Sequence, residues 1–92
     1  MELELRFFAT FREAVGEKEH SRSVPDDATV GDVLVDLEAT YEGLDGRLLE
    51  DGTVAPQLSV LKNGRDVTHM DGVETELEDG DRLSVFPPVA GG

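Results

Sequence analysis

The 92-residue chain is predicted to fold as an α+β domain, one sheet with a main helix packed across one face. Three observations carry that expectation. Apolar and polar residues alternate near both ends of the chain, an amphipathic stretch lies between them, and Asn63-Gly64 marks a tight hairpin.

Leu3, Leu5 and Phe7 alternate with Glu2, Glu4 and Arg6, the period-two pattern of a half-buried strand. Thr10 with Glu13 three residues on reads as a capping box, and Gly16 closes a short helix. Residues 18–24 carry few apolar side chains and read as a polar edge strand that stops before Pro25. The main helix has the clearest signals. Thr29 is its expected N-cap, Asp32 favours its positive end, and Val30, Val33, Leu34, Leu37 and Tyr41 form one apolar stripe. Gly43 is expected to end it. Residues 44–57 read as a loop with a short helical turn around Arg47 to Glu50. Leu58 to Lys62 is a strand leading into the Asn63-Gly64 turn, and Asp71-Gly72 and Asp79-Gly80 mark further turns. Leu83 and Val85 then alternate with Arg82, Ser84 and Phe86 in the last strand.

The length suits one domain whose core is just large enough to fold alone. Cysteine is absent, which removes disulfides, thiolate metal sites and a cysteine nucleophile. No apolar run approaches the roughly 20 residues that span a bilayer. The N-terminus also lacks a basic region followed by an apolar stretch, so a cytoplasmic location is expected. Twenty-one acidic residues against eight basic ones give a net charge of −13, which repels nucleic acid and anionic membranes and argues against binding either. The acids are interspersed among well-patterned apolar residues, which indicates a folded, solvated surface. Lysine is confined to Lys18 and Lys62. High acid and low lysine together fit a salt-rich cytoplasm of the halophilic archaeal kind, where the Debye length falls to about 3 Å at about 1 M salt.

The tail is the most informative segment: Phe86-Pro87-Pro88-Val89-Ala90-Gly91-Gly92. Pro87 and Pro88 have fixed φ and favour an extended, stiff lead. Gly91 and Gly92 lack Cβ atoms and can thread a channel too narrow for side chains. Val89 to Gly92 can reach on the order of 14 Å beyond the domain. The expected organisation is a domain over residues 1–86 and a flexible tail over 87–92 that positions a terminal carboxylate, ready without processing.

With Leu5-Arg6-Phe7-Phe8-Ala9-Thr10-Phe11-Arg12-Glu13-Ala14-Val15-Gly16 and Asp79-Gly80-Asp81, this tail resembles two ubiquitin-like groups. They are the small subunit of molybdopterin synthase and the small archaeal modifier proteins. The resemblance implies the ubiquitin-like β-grasp fold, with first and last strands paired in parallel at the sheet centre. It also implies that an activating enzyme of the ubiquitin-activating type adenylates Gly92 with ATP. A lysine amine attacking that acyl group yields an isopeptide bond, making the protein a modifier of target-protein lysines. Sulfide equivalents attacking it yield a thiocarboxylate, making the protein a sulfur carrier for molybdopterin biosynthesis or tRNA thiolation. On either reading the chain is not an enzyme and binds no cofactor, since ATP is used by its partner. A third reading, an interaction domain with an inert Gly-Gly end, is separated from both by deleting Gly91 and Gly92.

Parity along the strands places further residues. If Leu3, Leu5 and Phe7 face the helix, Phe8 has the opposite parity, and so do Phe86 in the last strand and Leu61 in the middle one. Each aromatic ring can bury roughly 150–250 Å², so the trio reaches the size of a functional patch. By resemblance this face docks the molybdopterin synthase large subunit and the activating enzyme. Two alternatives are that residues 44–57 cover the patch or that Phe8 turns inward. If copies of this protein, expected to be a monomer, are linked to one another, Lys18 and Lys62 are the acceptor side chains, and Lys62 is expected to be exposed. His20 and His69 are isolated and lack metal-ligand spacing, and neither Asp26-Asp27 nor Glu50-Asp51 lies in an EF-hand loop. No metal site is expected.

Overall fold

The structure, a computed structural model, describes residues 1–88. In chain order it runs β1 (Glu2–Phe7), α1 (Ala9–Val15), β2 (Glu19–Ser23), α2 (Val30–Thr40), β3 (Leu49–Glu50), β4 (Thr53–Val54), β5 (Ser59–Lys62), β6 (Arg65–Asp66) and β7 (Arg82–Phe86). Single 3₁₀ turns occupy Glu42–Leu44, Val67–His69 and Gly72–Glu74. One sheet has the order β2-β1-β7-β5-β6, and β3 and β4 form a separate small ribbon. β1 and β7 pair in parallel at the sheet centre, with Leu5 opposite Leu83 and Phe7 opposite Val85. The other pairs are antiparallel. This is the β-grasp arrangement, and its central parallel pair joins residues too distant in sequence for local pattern to specify.

The core lies between the sheet and α2. Leu3, Leu5, Phe7, Val60, Leu83 and Val85 from the sheet, with Val30, Val33, Leu34 and Leu37 from α2, are all buried. Burying each such side chain contributes about 1.5–3 kcal/mol, which offsets the ordering of the chain. Thr29 caps α2 as expected. Its hydroxyl accepts from the Asp32 N–H at 3.4 Å, and its own N–H donates to the Asp32 carboxylate at 3.0 Å. β2 is an edge strand, also as expected. Arg22 on β2 reaches over to α2, where its Nε lies 2.7 Å from Asp36 and its Nη2 donates to Thr40.

Three local expectations are corrected. Thr10 does not cap α1: the helix starts from Phe8, whose carbonyl accepts from the N–H groups of Phe11 and Arg12. The chain corners at Ala9, whose φ of 52° is left-handed, so the helix begins ahead of the Thr10–Glu13 pair. A non-glycine residue there carries about 1–2 kcal/mol of backbone strain. Gly43 does not end α2, which stops at Thr40 with an extended Tyr41 as its C-cap. Gly43 sits in the following 3₁₀ turn, and a Cβ on it would approach the Ala14 Cβ to 2.7 Å, so close helix packing explains the glycine. Residues 47–50 are not a helical turn either. Leu49–Glu50 pairs with Thr53–Val54 about the Asp51-Gly52 turn, whose φ values of 53° and 80° suit a tight hairpin.

Candidate functional site

β1 and β7 end side by side, and this positions the aromatic residues that follow their inward-facing neighbours. Phe7 and Val85 are opposite each other and fully buried. The next residues, Phe8 and Phe86, have turned to the helix-free face, where their rings stack 4.1 Å apart at an interplanar angle of 10°. Both are half-buried. Leu61 lies on the same face one strand away, opposite Ser84, and is also half-buried. Segment 44–57 does not carry its apolar residues to this face. Leu44 and Leu48 enter the core instead, and the Glu38 carboxylate on α2 accepts from the N–H groups of Leu48 and Leu49 at 2.8 and 2.9 Å. That carboxylate anchor lacks a sequence signal, because it bridges elements ten residues apart.

A shallow groove of about 520 Å³ runs beside the stack, walled by Glu4, Arg6, Arg82 and Ser84. Arg6 pairs with Glu19 on β2, and Arg82 lies 3.5 Å from Glu4. Both arginines are thus balanced by glutamates, and a charge-neutral aromatic surface results on a chain of net charge −13. The Arg6 Nε is buried and has no hydrogen-bond partner among the described residues.

The tail leaves β7 directly after Phe86. Pro87 is half-buried and Pro88 exposed. Val89, Gly91 and Gly92, the remaining tail residues singled out from the sequence, lie outside the described residues.

The two lysines differ. Lys18 is exposed, and its carbonyl accepts from the Phe7 N–H at 2.8 Å, which puts it at the same end of the sheet as Phe8 and Phe86. Lys62 is not exposed as expected. Its side chain is 18 % accessible, its Nζ donates to the Glu76 carbonyl at 3.0 Å, and it lies 3.6 Å from Asp81. The reason is tertiary: the chain leading into β7 folds back over the end of β5.

Asp81 organises that region. One carboxylate oxygen accepts from the Asn63 side-chain amide at 2.9 Å, and the other accepts from the Glu78 N–H at 2.7 Å. The Asn63 side-chain amide oxygen in turn accepts from the Arg82 N–H at 2.9 Å. Burial opposes ionisation of Asp81, but the bonds from Asn63 and Glu78 and the Lys62 ammonium outweigh it and hold the carboxyl below its ordinary range. His20 stands 3.1 Å from Glu17, and no group of metal-ligating residues forms among the described residues. No helix among them is long and apolar enough to cross a membrane.

A family model described as the ThiS family matches residues 5–92. The small archaeal modifier protein 3 of Haloferax volcanii is 70 % identical over the full length of both chains. A sulfur carrier protein, CysO, of Mycobacterium tuberculosis is 37 % identical over 70 % of this chain and 72 % of its own. Among solved structures, a Haloferax volcanii protein in solution has 70 % identity and a TM-score of 0.94, covering all of this chain and 87 % of that one. The Amycolatopsis orientalis BexX/CysO complex has 31 % identity and a TM-score of 0.82, covering 98 % of this chain and 99 % of that one. A complex of subunits 1 and 2 of the molybdopterin-converting factor from Helicobacter pylori has 27 % identity and a TM-score of 0.62, with full coverage of both chains. With the match running through nearly the whole chain, this protein belongs to the ThiS family.

Proposed function

We propose that this protein is a ubiquitin-like modifier whose Gly92 carboxylate is the acyl donor. An activating enzyme docks on the helix-free face and adenylates Gly92 with ATP, and the acyl group passes to a lysine amine of a target protein. The proposal rests first on the full-length, 70 % identity to a small archaeal modifier. The stacked Phe8–Phe86 pair supports it, because an aromatic surface at the base of the tail is where a partner must hold the domain to work on the tail. The chain supplies the electrophile and the docking surface, and the partner supplies catalysis. In this reading the protein is not itself an enzyme, binds no cofactor and acts in the cytoplasm.

A second reading is favoured by the sulfur-carrier relatives and by related chains found in complexes with BexX and with a molybdopterin-converting subunit. Here the adenylated Gly92 takes up sulfide to become a thiocarboxylate, for molybdopterin biosynthesis or tRNA thiolation. The large subunit of molybdopterin synthase is the corresponding partner. Both readings share the adenylation step, so pyrophosphate exchange into ATP by the activating enzyme tests them together. Exchange should require the wild-type tail and vanish on deletion of Gly91 and Gly92. Unchanged exchange with the deleted tail would contradict both.

A further inference from the structure

Asn63-Gly64 is the dipeptide most prone to spontaneous loss of an amide, because glycine offers no side chain to hinder attack by its own main-chain nitrogen. Here the dipeptide forms the tight turn between β5 and β6, with φ values of 49° and 87°. Both polar atoms of the Asn63 amide are engaged, the nitrogen by Asp81 and the oxygen by the Arg82 N–H. We propose that Asn63 is a deamidation site held closed by Asp81, so that the rate of conversion reports opening of the clamp between the β5–β6 turn and β7.

The chemistry is self-contained. The Gly64 nitrogen loses its proton to solvent base and attacks Cγ of Asn63. A new C–N bond closes a five-membered succinimide, the bond to the side-chain nitrogen breaks, and ammonia leaves with a proton from solvent. Water then opens either ring carbonyl to give aspartate or isoaspartate, so the net change is one water consumed and one ammonia released. Ring closure requires the Asn63 amide to swing away from Asp81 and Arg82 and the turn to leave its left-handed geometry. The clamp opposes both movements, and conversion proceeds only through local opening.

The product is not neutral for the fold. Aspartate at position 63 sets a second carboxylate against Asp81, in place of an amide that now donates to it at 2.9 Å. Lys62, 3.6 Å from Asp81, balances only part of that charge. Isoaspartate adds a methylene to the main chain of a tight turn and disturbs its register. In either form the turn loses the amide donation to Asp81 that now ties it to the residues leading into β7.

The test compares the full-length protein with a free peptide of the sequence Leu61–Asp66, both incubated at the same mildly alkaline pH. Peptide mapping reads the amide-to-acid mass gain and the isoaspartate content at position 63. Conversion in the protein should be slower than in the peptide by about tenfold or more, and Asp81→Ala should recover most of the difference. Equal rates in protein and peptide would overturn the proposal, as would a folded Asp81→Ala protein as slow as wild type. If Asp81→Ala does not fold, Asn63→Asp decides. Its melting temperature should fall below wild type at neutral pH and approach it on acidification, as one carboxylate of the pair takes a proton. A melting temperature for Asn63→Asp matching wild type at neutral pH would equally overturn it.

Discussion

The rings of Phe8 and Phe86 lie parallel and 4.1 Å apart, where the two central strands end beside each other. Parallel pairing of β1 with β7 is what makes the stack, since it brings both strand ends to one edge of the sheet and leaves both rings on the helix-free face. The stack therefore sits at the point where the tail departs, and under the proposed function a partner docked on it is expected to receive the tail. Phe86→Ala and Phe8→Ala should each raise the KM for adenylation by about tenfold or more, the behaviour of an aromatic anchor in an interface. Because both rings are only half-buried, the folded state should lose no more than about 1–2 kcal/mol. An unchanged KM in two well-folded variants would remove the stack from the docking surface.

Where copies of the protein become joined to one another, the bond is expected at Lys18. Its side chain is exposed, whereas the Lys62 ammonium is held by the Glu76 carbonyl and Asp81. Lys18→Arg should remove most self-linked species from a reconstituted reaction, and Lys62→Arg should leave most of them. Gel and mass analysis of the two variants separates the positions.

Asp81 should contribute stability in a pH-dependent way. Its folded carboxyl titrates below its ordinary value, so its contribution is fully present above the unfolded pKa of about 3.9 and is lost as pH falls through the folded value. Asp81→Asn keeps the shape but loses the charge and one acceptor, and should cost about 1–3 kcal/mol near neutral pH. The gap in stability between wild type and variant should then narrow as pH drops below about 4. Denaturant melts of both proteins across that range measure it, and a gap independent of pH would show that the charge plays no part.

The net charge of −13 should make stability depend on salt. At low ionic strength the carboxylates repel one another across the whole surface, and screening shortens that repulsion to a few ångströms. The melting temperature should rise from low to multimolar salt. A melting temperature indifferent to salt would mean that the acidic surface is not an adaptation to a salt-rich cytoplasm.

The elements most legible in the sequence were those set by local rules. Alternation gave β1 and β7, the Thr29–Asp32 pair gave the start of α2, and Asn63-Gly64 gave the β5–β6 turn. Features that depend on distant contacts were not legible from pattern. The parallel pairing of β1 with β7 followed only from the family resemblance. Gly43 looked like a helix terminator but serves a close approach to Ala14. Thr10 and Glu13 have capping-box spacing, yet the corner at Ala9 starts the helix ahead of them. Lys62 looked exposed beside its turn, but Glu76 and Asp81 come from the other side of the β5–β7 connection. In the candidate site, strand parity was enough to place Phe8, Leu61 and Phe86 on one face. It was not enough to show that the two rings stack while Leu61 stands a strand away.

Whether Gly92 is an acyl donor to lysines is tested most directly by mass spectrometry of tryptic digests from native cells expressing a tagged copy. Trypsin cuts after Arg82, so a lysine joined to Gly92 keeps the ten-residue remnant Leu83 to Gly92. That remnant is expected on lysines of other proteins and should be absent when Gly91 and Gly92 are deleted. A terminal peptide with sulfur in place of oxygen and no remnant-bearing lysines would assign the carrier role instead. A terminal peptide recovered only as the free carboxylate would contradict the claim that Gly92 is an acyl donor.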